Sequence, residues 1–183
     1  MSVFDFDDHC DVNDAMPLML ELKELNPAFK VTLFSIPAHG SPEFWASHPD
    51  WVELVGHGWS HPHPREAEHW SYEQSADVLL ELPDVFVDGW KSPGWLTSPG
   101  MYQALVDMNM WVADQHLADA VRPAGLPVYL YEDGDNWHGH VQDVCGNGIR
   151  ETWPLLCAKV AATTEFRFAS ETVQVWQQPL VVA

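Results

Sequence analysis

Short apolar runs recur along this chain, each followed by an amphipathic stretch with its own start signal, and that alternation leaves few folds open. Val3 to Asp7, Val31 to Phe34 and Trp51 to Val55 read as the first three strands. Val85 to Val87, Met110 to Ala113, Val128 to Tyr131 and Trp137 to Val141 read as the next four, and Glu165 to Phe168 as a last one. Asn13-Asp14 caps a helix to about Leu25, with Pro17 in its first turn. Ser41-Pro42, Ser71 and Ser98-Pro99 supply starts for three later helices, and a further helix covers about Ile149 to Val160. Strands alternating with helices predict an α/β fold with a parallel sheet. Seven or eight such units predict a distorted (β/α) barrel of about seven strands, closed or incomplete. No linker or low-complexity tract divides the 183 residues, so 1–183 reads as one domain.

Charge narrows the partners. Eight Lys and Arg face 27 Asp and Glu, a net charge of −19. A surface of that sign repels phosphate backbones and anionic membranes, so neither nucleic acid nor membrane is expected as a partner, and neutral sugars fit better. The amino terminus carries no basic region with a long apolar core, and no apolar run approaches the ~20 residues of a spanning helix, which predicts a cytoplasmic protein. Cys10, Cys145 and Cys157 are odd in number and widely spaced, unlike a disulfide framework or a zinc knuckle.

Chemistry concentrates just after the strands, the end where parallel α/β folds build their sites. Phe6-Asp7-Asp8 closes the first strand; adjacent carboxylates repel, so a cation is expected beside them. His57-Gly58-Trp59-Ser60-His61-Pro62 follows the third. Gly58 allows a tight turn and Pro62 keeps His61 from helical angles, so the two imidazoles sit on a rigid loop rather than a helix face. That pattern favours His57 and His61 as ligands over the nearby His63 and His69. One Asp and two His form a facial ligand set with open positions, and the other Asp remains free as a base. Ten tryptophans are many for this length; Trp59, Trp90, Trp95, Trp111 and Trp137 sit beside the polar motifs, where ring faces stack on sugars. Tyr129, Tyr131, Trp153 and Phe166 read as core, Cys145 to Gly148 as a plain turn, and His116 and Arg122 as pocket-lining candidates.

Phe6-Asp7-Asp8, His57-x-x-x-His61-Pro62 and Lys91-Ser92-Pro93 together resemble the polysaccharide deacetylases of the NodB-homology type, carbohydrate esterase family 4, over most of the chain to about His140. The resemblance implies a metal-dependent N-deacetylase that hydrolyses the acetamide of an N-acetylated sugar or oligosaccharide to acetate and a free amine; the alternatives are a metal-dependent amidohydrolase on a small non-polymeric amide and a non-catalytic carbohydrate-binding relative. It implies one divalent ion, zinc first, with cobalt, nickel or manganese as alternatives, held by Asp8, His57 and His61. It makes Asp7 the catalytic base and places Lys91 where the family has an arginine that orients that base; lysine keeps the charge but lacks the bidentate fork. Trp111-Val112-Ala113-Asp114 resembles the fourth motif, whose Asp steadies an acidic histidine. Trp137-His138-Gly139-His140 stands in for the fifth and offers two histidines, of which His140, at the strand end, is the expected acid. Trp59, Pro93, Trp95, Trp111 and His138 are expected to line the substrate pocket. His9 stands where the family usually has a glycine.

Overall fold

A computed structural model of the chain describes residues 1–115, 122–142 and 146–175. His116 and Cys145 lie outside these. Among the described residues nine strands join one sheet, ordered β7-β1-β2-β3-β4-β5-β6-β9 with β8 beside β1. The strands are β1 (Ser2–His9), β2 (Val31–Ser35), β3 (Val52–His57), β4 (Gly89–Lys91), β5 (Trp111–Asp114), β6 (Pro127–Leu130), β7 (Trp137–His140), β8 (Phe166–Arg167) and β9 (Gln174–Val175). The seven from β7 to β6 run parallel, as the alternation predicts; β9, not foreseen, is antiparallel to β6. The order does not close on itself, so the barrel is incomplete.

Helices α1 (Met16–Leu25), α2 (Pro42–Ala46), α3 (Tyr72–Leu80), α4 (Pro99–Asp107) and α5 (Trp153–Ala162) fill the connections. Ser41, Ser71 and Ser98 accept from Phe44, Gln74 and Met101 backbone N–H groups, and Gln74 completes a capping box. Two boundaries move. The cap of α1 is Ala15, with Asp14 Oδ1 accepting from Met16 N at 2.8 Å. The fourth strand is Gly89–Lys91, not Val85 to Val87. Phe86 closes a turn onto Pro83 O and sinks into the core, while Val85 is exposed, so the run is a turn with one buried side chain. Val87 N makes one hydrogen bond to Leu54 O, but the regular ladder with β3 begins where Trp90 pairs with Gly56.

Period-two alternation sorts the strand side chains. One set packs outward on the helices: Phe4, Phe6, Leu33 and Leu54 against α1, α2 and α5, and Trp90, Val112 and Val128 against α3 and α4. The other set fills the barrel interior: Val3, Phe34, Val55, Trp111, Ala113 and Tyr129, with Ala169 below. Asp5 and Asp7 share the inward face of Val3. No helix among the described residues is long and apolar enough to cross a membrane.

Glu53 also points inward and is buried, accepting from Thr32 Oγ1 at 2.8 Å and from the Ser170 hydroxyl. Burial outweighs these bonds and pushes its carboxyl up. A carboxyl raised on folding contributes stability that is complete below its unfolded pKa and lost as pH rises through the folded one. Glu53→Gln, neutral throughout, is therefore expected to melt a few degrees above the parent at pH 8, with the gain fading towards pH 4. Thermal melts across that range check it.

Candidate metal centre

The carboxylate pair sits at the mouth of the barrel because β1 breaks its own alternation. Successive strand residues point to opposite faces, so Asp7 and Asp8 should diverge. One extra residue enters β1 between Phe6 and His9, and Asp8 takes φ 69°, in the left-handed region. That bulge swings Asp8 back beside Asp7. His9 resumes the outward side: its Nδ1 accepts from Ala15 N at 3.2 Å and its Nε2 lies 2.8 Å from His48 Nε2. Burial first, then His48, pushes His9 down to about 3, so it stands neutral in the packing and away from the site.

Asp8, His57 and His61 converge. Their ligand atoms lie within 4.8 Å of one another, with Asp8 Oδ1 3.6 Å from His57 Nε2 and 3.5 Å from His61 Nε2. Ligands around a tetrahedral ion with bonds of about 2.1 Å stand roughly 3.4 Å apart, so the set fits a divalent cation. His57 Nδ1 meets the Lys91 carbonyl at 3.1 Å. That contact turns Nε2 towards Asp8, the usual orientation of a ligating histidine. Two imidazoles and a carboxylate suit zinc, cobalt, nickel or manganese better than calcium or magnesium. Burial pushes the Asp8 carboxyl up, but hydrogen bonding and charge from His57 overcome it and hold Asp8 below the usual carboxylate range. Burial, reinforced by His57, pushes His61 down despite Asp8, which favours the neutral, ligating form.

Glu66 fixes the loop that carries His61, and nothing in the sequence motif marks it. Its carboxylate accepts from the backbone N–H groups of Trp59 (3.0 Å), Ser60 (3.1 Å) and His61 (3.1 Å), and from the Ser60 hydroxyl. Three successive amides pointed at one anion hold His61 at φ 47°, a left-handed conformation costly for a side chain. Gly58, at φ 66°, is required here: a Cβ would stand 2.3 Å from Glu66 Oε2 and 2.8 Å from Pro93 Cγ. Glu66→Ala is expected to weaken zinc binding about 10- to 100-fold, the usual cost of removing an outer-shell partner. Competition against a chromophoric chelator measures it; unchanged affinity would mean the loop holds His61 without the carboxylate.

Asp7 stands between the group of Asp8, His57 and His61 and a second one: its Oδ2 lies 3.8 Å from His57 Nε2. Lys91 Nζ lies 2.5 and 2.6 Å from its two oxygens, a bidentate contact made by an ammonium rather than a guanidinium fork. Lys91 is 1% exposed and its Nζ also stands 3.8 Å from the centroid of the Trp95 ring and 4.8 Å from that of Phe34. Burial pushes the Asp7 carboxyl up, yet Lys91, then His57, His138 and His140, hold it well below the usual range. His138 Nε2 and His140 Nε2 lie 3.9 and 3.7 Å from Asp7 Oδ2.

The two histidines of β7 differ in what holds them. His138 Nδ1 sits 2.5 Å from Asp5 Oδ1, and the Tyr129 hydroxyl donates to Asp5 Oδ2 at 2.6 Å. His140 Nδ1 meets Asn147 Oδ1 at 2.9 Å. Asp114, expected to steady the acidic histidine, does not: it accepts from Tyr102 Oη and Arg122 Nε, both at 2.8 Å, and from Gln115 N. The carboxylate partner comes instead from Asp5, on β1, whose place two residues before Asp7 on the same strand face was the available signal. Trp95 stacks on Tyr131 with centroids 4.8 Å apart, and both rings flank His138. Tyr131 packs against the interior core, as expected, and also reaches the site. Trp111, expected to line the pocket, is 7% exposed inside the barrel beside Phe34 and Tyr129. Pro93 is buried against Gly58, and Trp59 is half-buried on the histidine loop.

No protein-family model and no curated protein matches the chain. Solved structures do. The Xyl-CE4 domain of a multidomain xylanase from the hindgut metagenome of Trinervitermes trinervoides superposes with a TM-score of 0.60 at 14% identity, over 93% of this chain and 87% of that one. A family 4 acetyl xylan esterase from Clostridium thermocellum, in complex with a cobalt ion, gives 0.58 at 15% identity, over 93% and 88%. A CE4 family pseudoenzyme from Bacillus anthracis gives 0.59 at 12% identity, over 93% and 64%. At such identities the likeness is one of fold.

Proposed function

We propose that this chain, which has the NodB-homology fold of the family 4 carbohydrate esterases, is a metal-dependent N-deacetylase that hydrolyses the acetamide of an N-acetylated sugar. The observation that carries the reading is the division of labour at the mouth. Asp8, His57 and His61 face one another, while Asp7 beside them is paired with Lys91 and faced by His138 and His140. Asp8, His57 and His61 would hold one divalent ion, zinc or a close neighbour. Bound there, it supplies Lewis acidity to the acetyl carbonyl and to water.

The side chains do the rest. Asp7, kept ionised by Lys91, accepts a proton as water adds to the carbonyl carbon. The C–N bond then breaks, and the departing nitrogen takes a proton from His138 Nε2. Asp5 fixes the orientation of that ring, and Tyr129 fixes Asp5. This support favours His138 over His140 as the acid. The stacked Trp95–Tyr131 pair beside His138 offers a wall for a sugar ring.

Ester substrates form a second reading, favoured by the xylan-linked names of two structural neighbours. Acetate release from N-acetylglucosamine oligomers and from acetylated xylan, with and without chelator, tests both. Chelator-sensitive release from the amide supports the first reading, and release from xylan alone supports the second. Release from neither would align the chain with its pseudoenzyme neighbour.

A further inference from the structure

We infer that the barrel mouth contains a second, weaker cation site, built from Asp7, His138 and His140, and that filling it switches the centre off. The binding site stands on geometry alone; the inhibition rests on the deacetylase reading above.

Three ligand atoms, one each from Asp7, His138 and His140, lie within 4.8 Å of one another. In both imidazoles Nδ1 is already committed to an oxygen acceptor, Asp5 Oδ1 for His138 and Asn147 Oδ1 for His140. In a ring whose only proton sits at Nδ1, Nε2 presents a lone pair to a metal, in competition with the proton that it otherwise carries, and both Nε2 atoms lie within 4 Å of Asp7 Oδ2. Lys91 already balances the charge of Asp7, so what the cluster offers a metal is two imidazole nitrogens facing one carboxylate oxygen. His57 in the first site is prepared in the same manner, with Nδ1 committed to the Lys91 carbonyl and Nε2 facing inward. The two histidines sit on one strand with Gly139 between them, so period-two alternation aims both at the same point. Gly139 itself packs close to Phe6 and the Asn147 carbonyl.

Two imidazoles and one carboxylate select a late first-row dication such as zinc, cobalt or nickel, not magnesium or calcium. The site is weaker than that of Asp8, His57 and His61 because Lys91 already contacts both Asp7 oxygens and repels a second positive charge. A cation there would occupy the lone pairs of Asp7 and His138, the groups that accept and deliver the protons of the proposed reaction. Excess metal would therefore inhibit the enzyme that one equivalent activates.

Zinc titration of the metal-stripped full chain, followed by equilibrium dialysis with metal analysis, tests the site. The expected result is two equivalents, the second bound at least tenfold more weakly, and none for magnesium at the second site. His140→Ala is expected to keep the tight equivalent and lose the weak one. His57→Ala is expected to lose the tight one and keep the weak one. Asn147→Ala, which removes no ligand, is expected to weaken only the second. Acetate release should rise to the first equivalent and fall as the second binds. Uptake of a single equivalent at hundredfold excess zinc, or two retained by His140→Ala, overturns the site. Two equivalents without any hydrolysis overturns the deacetylase reading and leaves the site standing.

Discussion

Asp7→Asn is expected to cut turnover about a thousandfold while the chain keeps its tight metal equivalent. The base contributes of the order of 10²- to 10⁴-fold to such reactions, and an amide cannot accept the proton. Asp8, His57 and His61 make none of their mutual contacts through Asp7, so metal content should hold. The same change strips Lys91 of its counter-charge in a site where the lysine is 1% exposed. Breaking a buried pair from one side costs about 3–5 kcal/mol, so urea unfolding should show a loss of about that size. Measured together, turnover, metal content and unfolding separate the roles. Full turnover in the variant would place the base elsewhere; loss of metal along with turnover would make Asp7 a ligand instead.

The second large effect concerns His138. His138→Ala is expected to slow hydrolysis of an N-acetyl sugar by about 10²- to 10³-fold, because an amine leaves poorly without a proton. An aryl acetate, whose phenolate leaves readily, should lose far less. Asp5→Asn should reproduce the same substrate pattern in milder form, since it removes the carboxylate that orients the ring. Equal losses on both substrates would mean that His138 serves binding or structure rather than proton delivery. If His140→Ala instead showed the leaving-group dependence, the acid would be the histidine held by Asn147.

The two residues at stake differ in how far the sequence exposed them. Asp7 stands in a compact motif at a strand end, next to a second carboxylate; local spacing marked the pair, and the family resemblance chose Asp7 within it as the expected base. His138 was one of two candidates, and spacing favoured the other. What distinguishes it is Asp5, 133 residues earlier in the chain and brought alongside by the parallel pairing of β1 with β7, in register at Asp5 and His138. Asp114 shows the converse. Its place at the end of β5 matched the expected motif, but Tyr102 on α4 and Arg122 claim its carboxylate. Glu66 was invisible because its role is to gather backbone amides, which leave no trace in side-chain spacing. The fourth strand was misplaced because apolar content reports burial, and Phe86 is buried from a turn.

By itself the sequence determined the alternation of strands and helices, the serine caps, and the placing of acidic and histidine motifs after strands. These depend on neighbours within a few positions, where backbone preference and side-chain period act directly. Only the tertiary structure decided which carboxylate serves which imidazole, that the barrel stays open, and that a one-residue bulge turns Asp8 towards His57 and His61. Those outcomes follow from strand register, which joins residues far apart in the chain and is set by the packing of the whole sheet.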